Sequence, residues 1–328
     1  MSYQPKVSII IPVFNGSAYV REAIDSALNQ TYQNKEVIVV NDGSSDGGRT
    51  EAIALSYGDK IRYFAKENGG VSSALNLGIK QAVGDYISWL SHDDVYFPYK
   101  LEEQVKQLAQ TEAPIILYSD YAWIDAHSQY LGMCRVTHSG NILLDLLTGF
   151  PLSGCTMLIP QKCFAASGLF DERLRTTQDY DMWFRLVRGY EFQYMDKPMA
   201  KIRLHSQQGT MTANTYRERN DLYLRALQEF SCEEIFGHSS KSKFECYLTL
   251  ALKLKIMDVP EAAKSARGLA NNYANEAKLS IKTISLVNYA KNLVIGISIM
   301  KLKSLLKSTL IGRKLYNLGR KLLSDGEN

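Results

Sequence analysis

Short apolar runs rich in β-branched residues alternate with segments of helical period along the first part of the chain. "VSIIIPV" (7–13) predicts a buried strand, and "AYVREAIDSALNQ" (18–30) predicts a helix with Ser17 as its cap. "EVIVV" (36–40) predicts a second strand, ended by the turn residues "NDGSSDGG" (41–48). A helix over 48–58, a strand over 61–65, a glycine-led helix over 69–83 and a strand over 85–90 follow. Alternation at this rhythm predicts an α/β fold with a doubly wound, mostly parallel sheet, which binds ligands at the carboxyl ends of its strands. A polar cluster follows each strand: Asn15–Gly16, Asn41 to Asp46, Asn68 to Gly70, and Asp93–Asp94. The four clusters share one edge of one sheet and define a candidate site.

From about residue 150 the pattern is more mixed. "CTMLIP" (155–160) reads as a strand, "TTQDYDMWFRLVRGY" (176–190) as an amphipathic helix, and "EFQYMD" (191–196) and "AKIRLHS" (200–206) as two short strands. Beyond about 212 the texture is helix after helix, which predicts a first domain over 1–210 and a second over 211–328.

Charge sharpens that division. The net charge of +4 splits into −4 for residues 1–210 and +8 for 211–328. Basic character belongs to the second part and suits an anionic surface as its partner, whereas nothing in the first part calls for nucleic acid. In "KLKSLLKSTLIGRKLYNLGRKLL" (301–323), Ile311, Leu315, Leu318 and Leu322 share one helical face between lysines and arginines. That pattern predicts a helix lying on an anionic membrane; the alternative is a helix packed on protein with a solvated basic face. The opening "MSYQPKVSIIIPVFN" lacks a long apolar h-region, so a signal peptide is not expected, and no apolar run is long enough to predict a spanning helix; "LVIGISIM" (293–300) is too short. The five cysteines are scattered without a CxxC pair, which argues against zinc or a disulfide framework and for a reducing compartment. The expectation is a cytoplasmic protein, peripheral at the inner face of the membrane.

The clusters carry chemistry, each with a plainer alternative. Asp42 and Asp46 lie in a glycine-bearing loop that suits a nucleobase, or a solvated turn with Asp46 as a cap. "ENGGVSSALNLGIKQA" offers helix-start amides to an anion but lacks the GKS or GKT of a P-loop. "SHDD" supplies oxygen ligands for Mg²⁺ or Mn²⁺. Asp179 and Asp181 open a helix whose dipole favours an ionised carboxylate, as a general base requires, and capping is the preferred reading for Asp181. His205 is a base or a metal ligand, or a structural histidine after an apolar strand. GxSxG, HExxH and a GxGxxG after the first strand are all absent.

Taken together, residues 5–210 resemble the inverting, nucleotide-sugar-dependent glycosyltransferases of family 2, with the GT-A fold. The resemblance rests on "VSIIIPVFNGSAYVREAIDSALNQTY", "EVIVVNDGSSDG", "ENGGVSSALNLGI", "GDYISWLSHDDVYFPYKLEEQ", "TQDYDMWFRL" and "IRLHS", in that order. It implies a GT-A domain, Rossmann-like and mostly parallel, followed by a helical C-terminal region. It also implies that Pro12, Phe14 and Asn15 line the nucleotide, that Asp42 holds the base, and that Asn68, Gly70, Asn76 and His92 lie along the nucleotide wall. Asp93, with Asp94 beside it and His205 near the diphosphate, would bind Mn²⁺ or Mg²⁺, and Asp179 would be the general base. The sugar donor would be a UDP-sugar, with dTDP- and GDP-sugars open, and the acceptor a glycan or lipid-linked hydroxyl in bacterial surface polysaccharide synthesis. A homo-oligomer is left open. The rival is a non-catalytic nucleotide-sugar binding module of the same fold.

Three positions depart from the family pattern. Ser91 replaces the first acid of the DxD-type motif, Leu75 stands where a basic residue is common, and Gln178 replaces the glutamate before the base. The second departure leaves the diphosphate to metal and backbone.

Overall fold

The computed structural model describes residues 3–276 apart from 112, 137, 206–212, 238 and 240. The basic segment 301–323 lies outside the described residues. The chain order is β1 (Val7–Val13), α1 (Val20–Leu28), β2 (Lys35–Asp42), α2 (Arg49–Leu55), β3 (Arg62–Lys66), α3 (Val71–Gln81), β4 (Tyr86–Trp89), β5 (Val95–Tyr96) and α4 (Lys100–Leu108). There follow β6 (Ile115–Asp125), β7 (Tyr130–Cys134), α5 (Ile142–Leu147), β8 (Ile159–Pro160), α6 (Gln161–Ser167), α7 (Gln178–Leu186) and β9 (Glu191–Leu204). The last helices described are α8 (Ala213–Glu229), α9 (Cys232–Phe236), α10 (Lys243–Ile256) and α11 (Pro260–Glu276).

The chain divides into two compact units, Met1–Thr137 with Pro151–His205, and His138–Phe150 with Ser206–Asn328. Residues 138–150, which the sequence places in the first domain, therefore fall in the second unit.

In the first unit, one sheet has the order β3-β2-β1-β4-β8, parallel from β3 to β4 with β8 antiparallel at the edge. Every residue of β1 is buried, because strands flank it on both sides and helices cover both faces. Its one polar side chain, Ser8, donates to Glu36 and accepts from the amide of Gly84. Gly78 lets α3 close on β1: a Cβ there would overlap Ile10 Cγ2. The second sheet has the order β5-β9-β6-β7.

Three local expectations are corrected. Ser17 does not cap α1: Tyr19 is the N-cap residue, and the carbonyl of Gly16 receives the amides of Tyr19 and Val20. The run 155–160 is a short 3₁₀ turn, Gly154–Thr156, before the two-residue β8. The strands expected at 191–196 and 200–206 form one strand, β9, whose parallel pairing to β6 shifts register between Ser119 and Tyr121. Pro198, which lacks an amide hydrogen, falls in that gap in the pairing and so does not break the strand.

The second unit is helical as described. Asn141 caps α5 by accepting the Leu144 amide and donates to the carbonyls of Glu234 and Ile235. Ser231–Glu234 and Ser242–Glu245 form reciprocal capping boxes that start α9 and α10. Among the described residues no helix is long and apolar enough to cross a membrane.

Candidate active site

The carboxyl ends of β1 and β2 are stitched together by Asn15. Its Oδ1 accepts the Ser45 amide at 2.7 Å, and its own amide donates to Ser44 Oγ at 2.9 Å. Asn15 holds φ +49, a left-handed conformation that asparagine tolerates. Phe14 is exposed on the rim, whereas Pro12 is buried inside β1. His92 lies under this loop, its ring bonded to the carbonyl of Pro12, and burial pushes its pKa down. A Cβ on Gly16 would come within 2.5 Å of the His92 ring. Pro12 is thus enclosed in the sheet, and the partly exposed His92 packs beneath the Gly16 turn.

At the end of β2, Asp42 is buried and its carboxylate accepts from Lys66 Nζ at 2.8 Å, Gly69 N at 3.0 Å and Gly70 N at 2.7 Å. Asn68 Nδ2 bonds to the Asp42 carbonyl. Two of the amides expected to be open to an anion, those of Gly69 and Gly70 just before α3, are taken by this carboxylate. A carboxylate has about four acceptor positions, so three bonds leave about one for a base N–H. Asp46 accepts the amide and hydroxyl of Thr50 in the first turn of α2, the plainer of its two readings.

Asn76 is a second correction. It is buried, its amide nitrogen donates to the Phe170 carbonyl and Glu172 Oε1, each at 2.9 Å, and its oxygen accepts the Phe170 amide. Both its donor hydrogens and one acceptor position hold the segment around residue 170 against α3.

After β4 the two aspartates diverge. Asp93 Oδ2 lies 2.9 Å from His205 Nε2, and both side chains are partly buried. Asp94 points into the core, where it accepts the Arg203 amide at 2.9 Å and the Cys155 thiol at 3.2 Å. Burial, and then the charge of Asp93, raise its carboxyl well above the usual range. The expectation of Asp94 as a metal ligand is corrected accordingly: its two oxygens face away from the Asp93–His205 pair. Ser91 joins the same buried group, its hydroxyl 3.4 Å from Cys155 Sγ.

Asp93 and His205 fit a divalent cation as a two-donor site, because Mg²⁺ and Mn²⁺ bound with phosphates often use one or two protein ligands. Among the described residues no group of three or more His, Cys, Asp and Glu side chains could hold a metal. Phosphate oxygens and water would have to complete the shell.

Asp179 stands in the first turn of α7. Burial lifts its carboxyl to about 6, against the opposing effect of bonds from the amides of Tyr180 and Asp179 itself. Asp181 is ion-paired to Arg185 at 2.9 Å, a structural contact within the helix rather than a cap. Gln178 Oε1 is buried without a hydrogen-bond partner among the described residues. A glutamate there would place a charge in that environment, at far greater desolvation cost.

Residues 8–162 match the profile described as "Glycosyl transferase family 2". An uncharacterized glycosyltransferase of Rickettsia prowazekii is 50% identical over 240 residues, covering 71% of this chain and 75% of the relative. The chain belongs to glycosyl transferase family 2. An uncharacterized glycosyltransferase of Rickettsia bellii is 46% identical over 291 residues, covering 85% of this chain but only 41% of the relative, so the chain spans less than half the length of that protein. The crystal structure of S. aureus TarS in complex with UDP-GlcNAc superimposes with a TM-score of 0.58 at 15% identity, covering 82% of this chain and 89% of that one, which supports the GT-A fold.

Two buried cations, one of which organises the candidate site, escaped the sequence. Arg203 is 1% exposed; its Nε donates to the Asp93 carbonyl at 2.7 Å, Nη1 to the Asp125 carbonyl and Ser128 Oγ, and Nη2 to Glu22 at 2.6 Å. The guanidinium also lies over the Tyr19 ring, and Tyr19 contacts His205. Lys100 is fully buried, bonded to Ser88, Gln104 and the Met157 carbonyl, and burial pushes its pKa down to about 7. Arg203 stands two residues before the histidine that was singled out, and a charged position inside an apolar strand pattern was the available signal.

Proposed function

We propose that this glycosyltransferase moves a sugar from a UDP-sugar to a hydroxyl of a glycan or lipid-linked acceptor, with inversion, in bacterial surface polysaccharide synthesis. The observation that carries the reading is Asp179: a carboxylate at a helix start with a pKa near 6 is ionised at neutral pH yet basic enough to take a hydroxyl proton in the transition state. The acceptor oxygen attacks the anomeric carbon as Asp179 removes its proton, the bond to the diphosphate breaks on the opposite face, and one displacement inverts the centre. Asp93 and His205 would hold a Mn²⁺ or Mg²⁺ ion, which when bound offsets charge on the leaving diphosphate. Asn15 and Asp42 fix the loops against which the nucleotide would rest. Likeness in fold to TarS, which has been crystallised with UDP-GlcNAc, favours a UDP-sugar.

The basic C-terminal part would place the enzyme on the cytoplasmic face of a membrane, where lipid-linked acceptors reside. Asp179→Asn should abolish transfer from radiolabelled UDP-sugar while leaving UDP binding intact. Wild-type turnover by that variant would remove Asp179 from its role.

A further inference from the structure

The core position Leu75 cannot help to bind a diphosphate: it is 1% exposed and lies within α3. A guanidinium reaches the same region from elsewhere in the chain. Asn76 grips the main chain of Phe170 from both sides and bonds to Glu172, and Ser72 Oγ donates to the Leu174 carbonyl at 3.3 Å. These contacts pin the segment from Phe170 to Leu174 along α3. The next residue, Arg175, donates Nη1 to the Gly69 carbonyl at 2.8 Å.

The approach is close. A Cβ built on Gly70 would overlap Arg175 Nη1, and Gly70 holds φ +88, a backbone conformation that favours glycine. Lys66 flanks the same loop, but its ammonium is paired with the buried Asp42 carboxylate at 2.8 Å. That carboxylate also occupies the amides of Gly69 and Gly70, just before α3. Arg175 is exposed, and it stands four residues before Asp179. Its guanidinium thus reaches the Asn68–Gly70 loop from the segment that leads into the helix carrying the proposed base. A planar guanidinium binds phosphate oxygens through two parallel N–H bonds.

We propose that Arg175, mounted on α3 through Asn76 and Ser72, binds the diphosphate of the sugar donor in place of a basic residue at position 75. The assignment rests on the nucleotide-sugar reading above. It also explains why the asparagine and the glycine expected along the nucleotide are engaged with the segment 170–175.

The test is calorimetric titration of the full chain, wild type, Arg175→Ala and Arg175→Lys, with UDP and with uridine, in Mn²⁺. Arg175→Ala should weaken UDP binding about tenfold or more, as expected for loss of a charge-assisted bidentate contact, and leave uridine binding unchanged. Arg175→Lys should recover part of the loss. Equal UDP affinity in wild type and Arg175→Ala overturns the assignment alone, as does an equal loss for UDP and uridine, which would mark a purely structural role. Failure of the wild type to bind UDP overturns the sugar-donor reading and this assignment together.

Discussion

Arg203 donates its Nε hydrogen to the main-chain carbonyl of Asp93 at 2.7 Å. The Arg203 amide meanwhile donates to the Asp94 carboxylate. One buried residue on β9 thus holds the loop after β4 by two points, and places His205, two residues further on, 2.9 Å from Asp93. Glu22 on α1 and Ser128 anchor the other end of the guanidinium.

Arg203→Met should therefore separate the two candidate metal ligands as well as loosen the fold. Removing a buried guanidinium that serves several acceptors costs on the order of 2–4 kcal/mol. The expected result is a lower melting temperature together with weaker Mn²⁺ binding measured in the absence of substrate. Unaltered Mn²⁺ affinity would assign Arg203 to stability alone.

Direct removal of the pair gives a cleaner result. Asp93→Asn and His205→Ala should each reduce the Mn²⁺-dependent part of UDP binding tenfold or more, at about the cost of one metal ligand or its support. Excess chelator should lower wild-type UDP affinity to the level of the variants. If wild-type activity survives chelation undiminished, the pair is not a metal site.

The pH profile follows from Asp179. Only its ionised form accepts a proton, so kcat/KM should fall as pH drops through about 6. Stability should run the opposite way. The folded pKa exceeds the ordinary value of 3.8, so the folded state gains stability as pH falls from about 6 towards 4. Asp179→Asn should thus melt above the wild type at pH 7 by an amount that vanishes near pH 4.

Restoring an acid at position 91 should not create a metal ligand. The Ser91 hydroxyl faces Cys155, which in turn donates to Asp94. A carboxylate there would meet a buried carboxyl across one sulfur atom. Ser91→Asp should lower the melting temperature and leave Mn²⁺ affinity unchanged, as read by calorimetry.

Gly78→Ala tests the contact between α3 and the central strand. The added methyl would collide with Ile10, and overpacking of this kind typically costs about 1–3 kcal/mol. The shift should appear in denaturant midpoint at constant slope.

Local pattern and site legibility differ along the chain. The strands β1 to β4 and the helices between them were readable within a few residues, because a strand buried on both faces must be apolar throughout and a covering helix must be apolar on one side. β6 was not placed, although it is eleven residues long and central to the second sheet. Its "IILYSDYAWID" buries Ser119 and Asp120 among the apolar residues, which hides the strand period.

Among the site residues, the aspartates could be found because paired acids after an apolar strand stand out, yet nothing in "HDD" says which carboxyl turns inward. That depends on Cys155, Arg203 and Glu22, which are 61, 109 and 181 positions from their partners in the group. By itself the sequence determined the class of fold, the sheet edge that carries the chemistry and the presence of a carboxylate at the start of α7, since each follows from local periodicity and helix termini. Tertiary structure alone decided that Asp93 faces His205 while Asp94 is buried, that Asn76 holds chain rather than ligand, and that Arg175 comes to rest beside Gly70. Those outcomes depend on which distant donors satisfy each buried polar group, and a one-dimensional pattern does not contain that pairing.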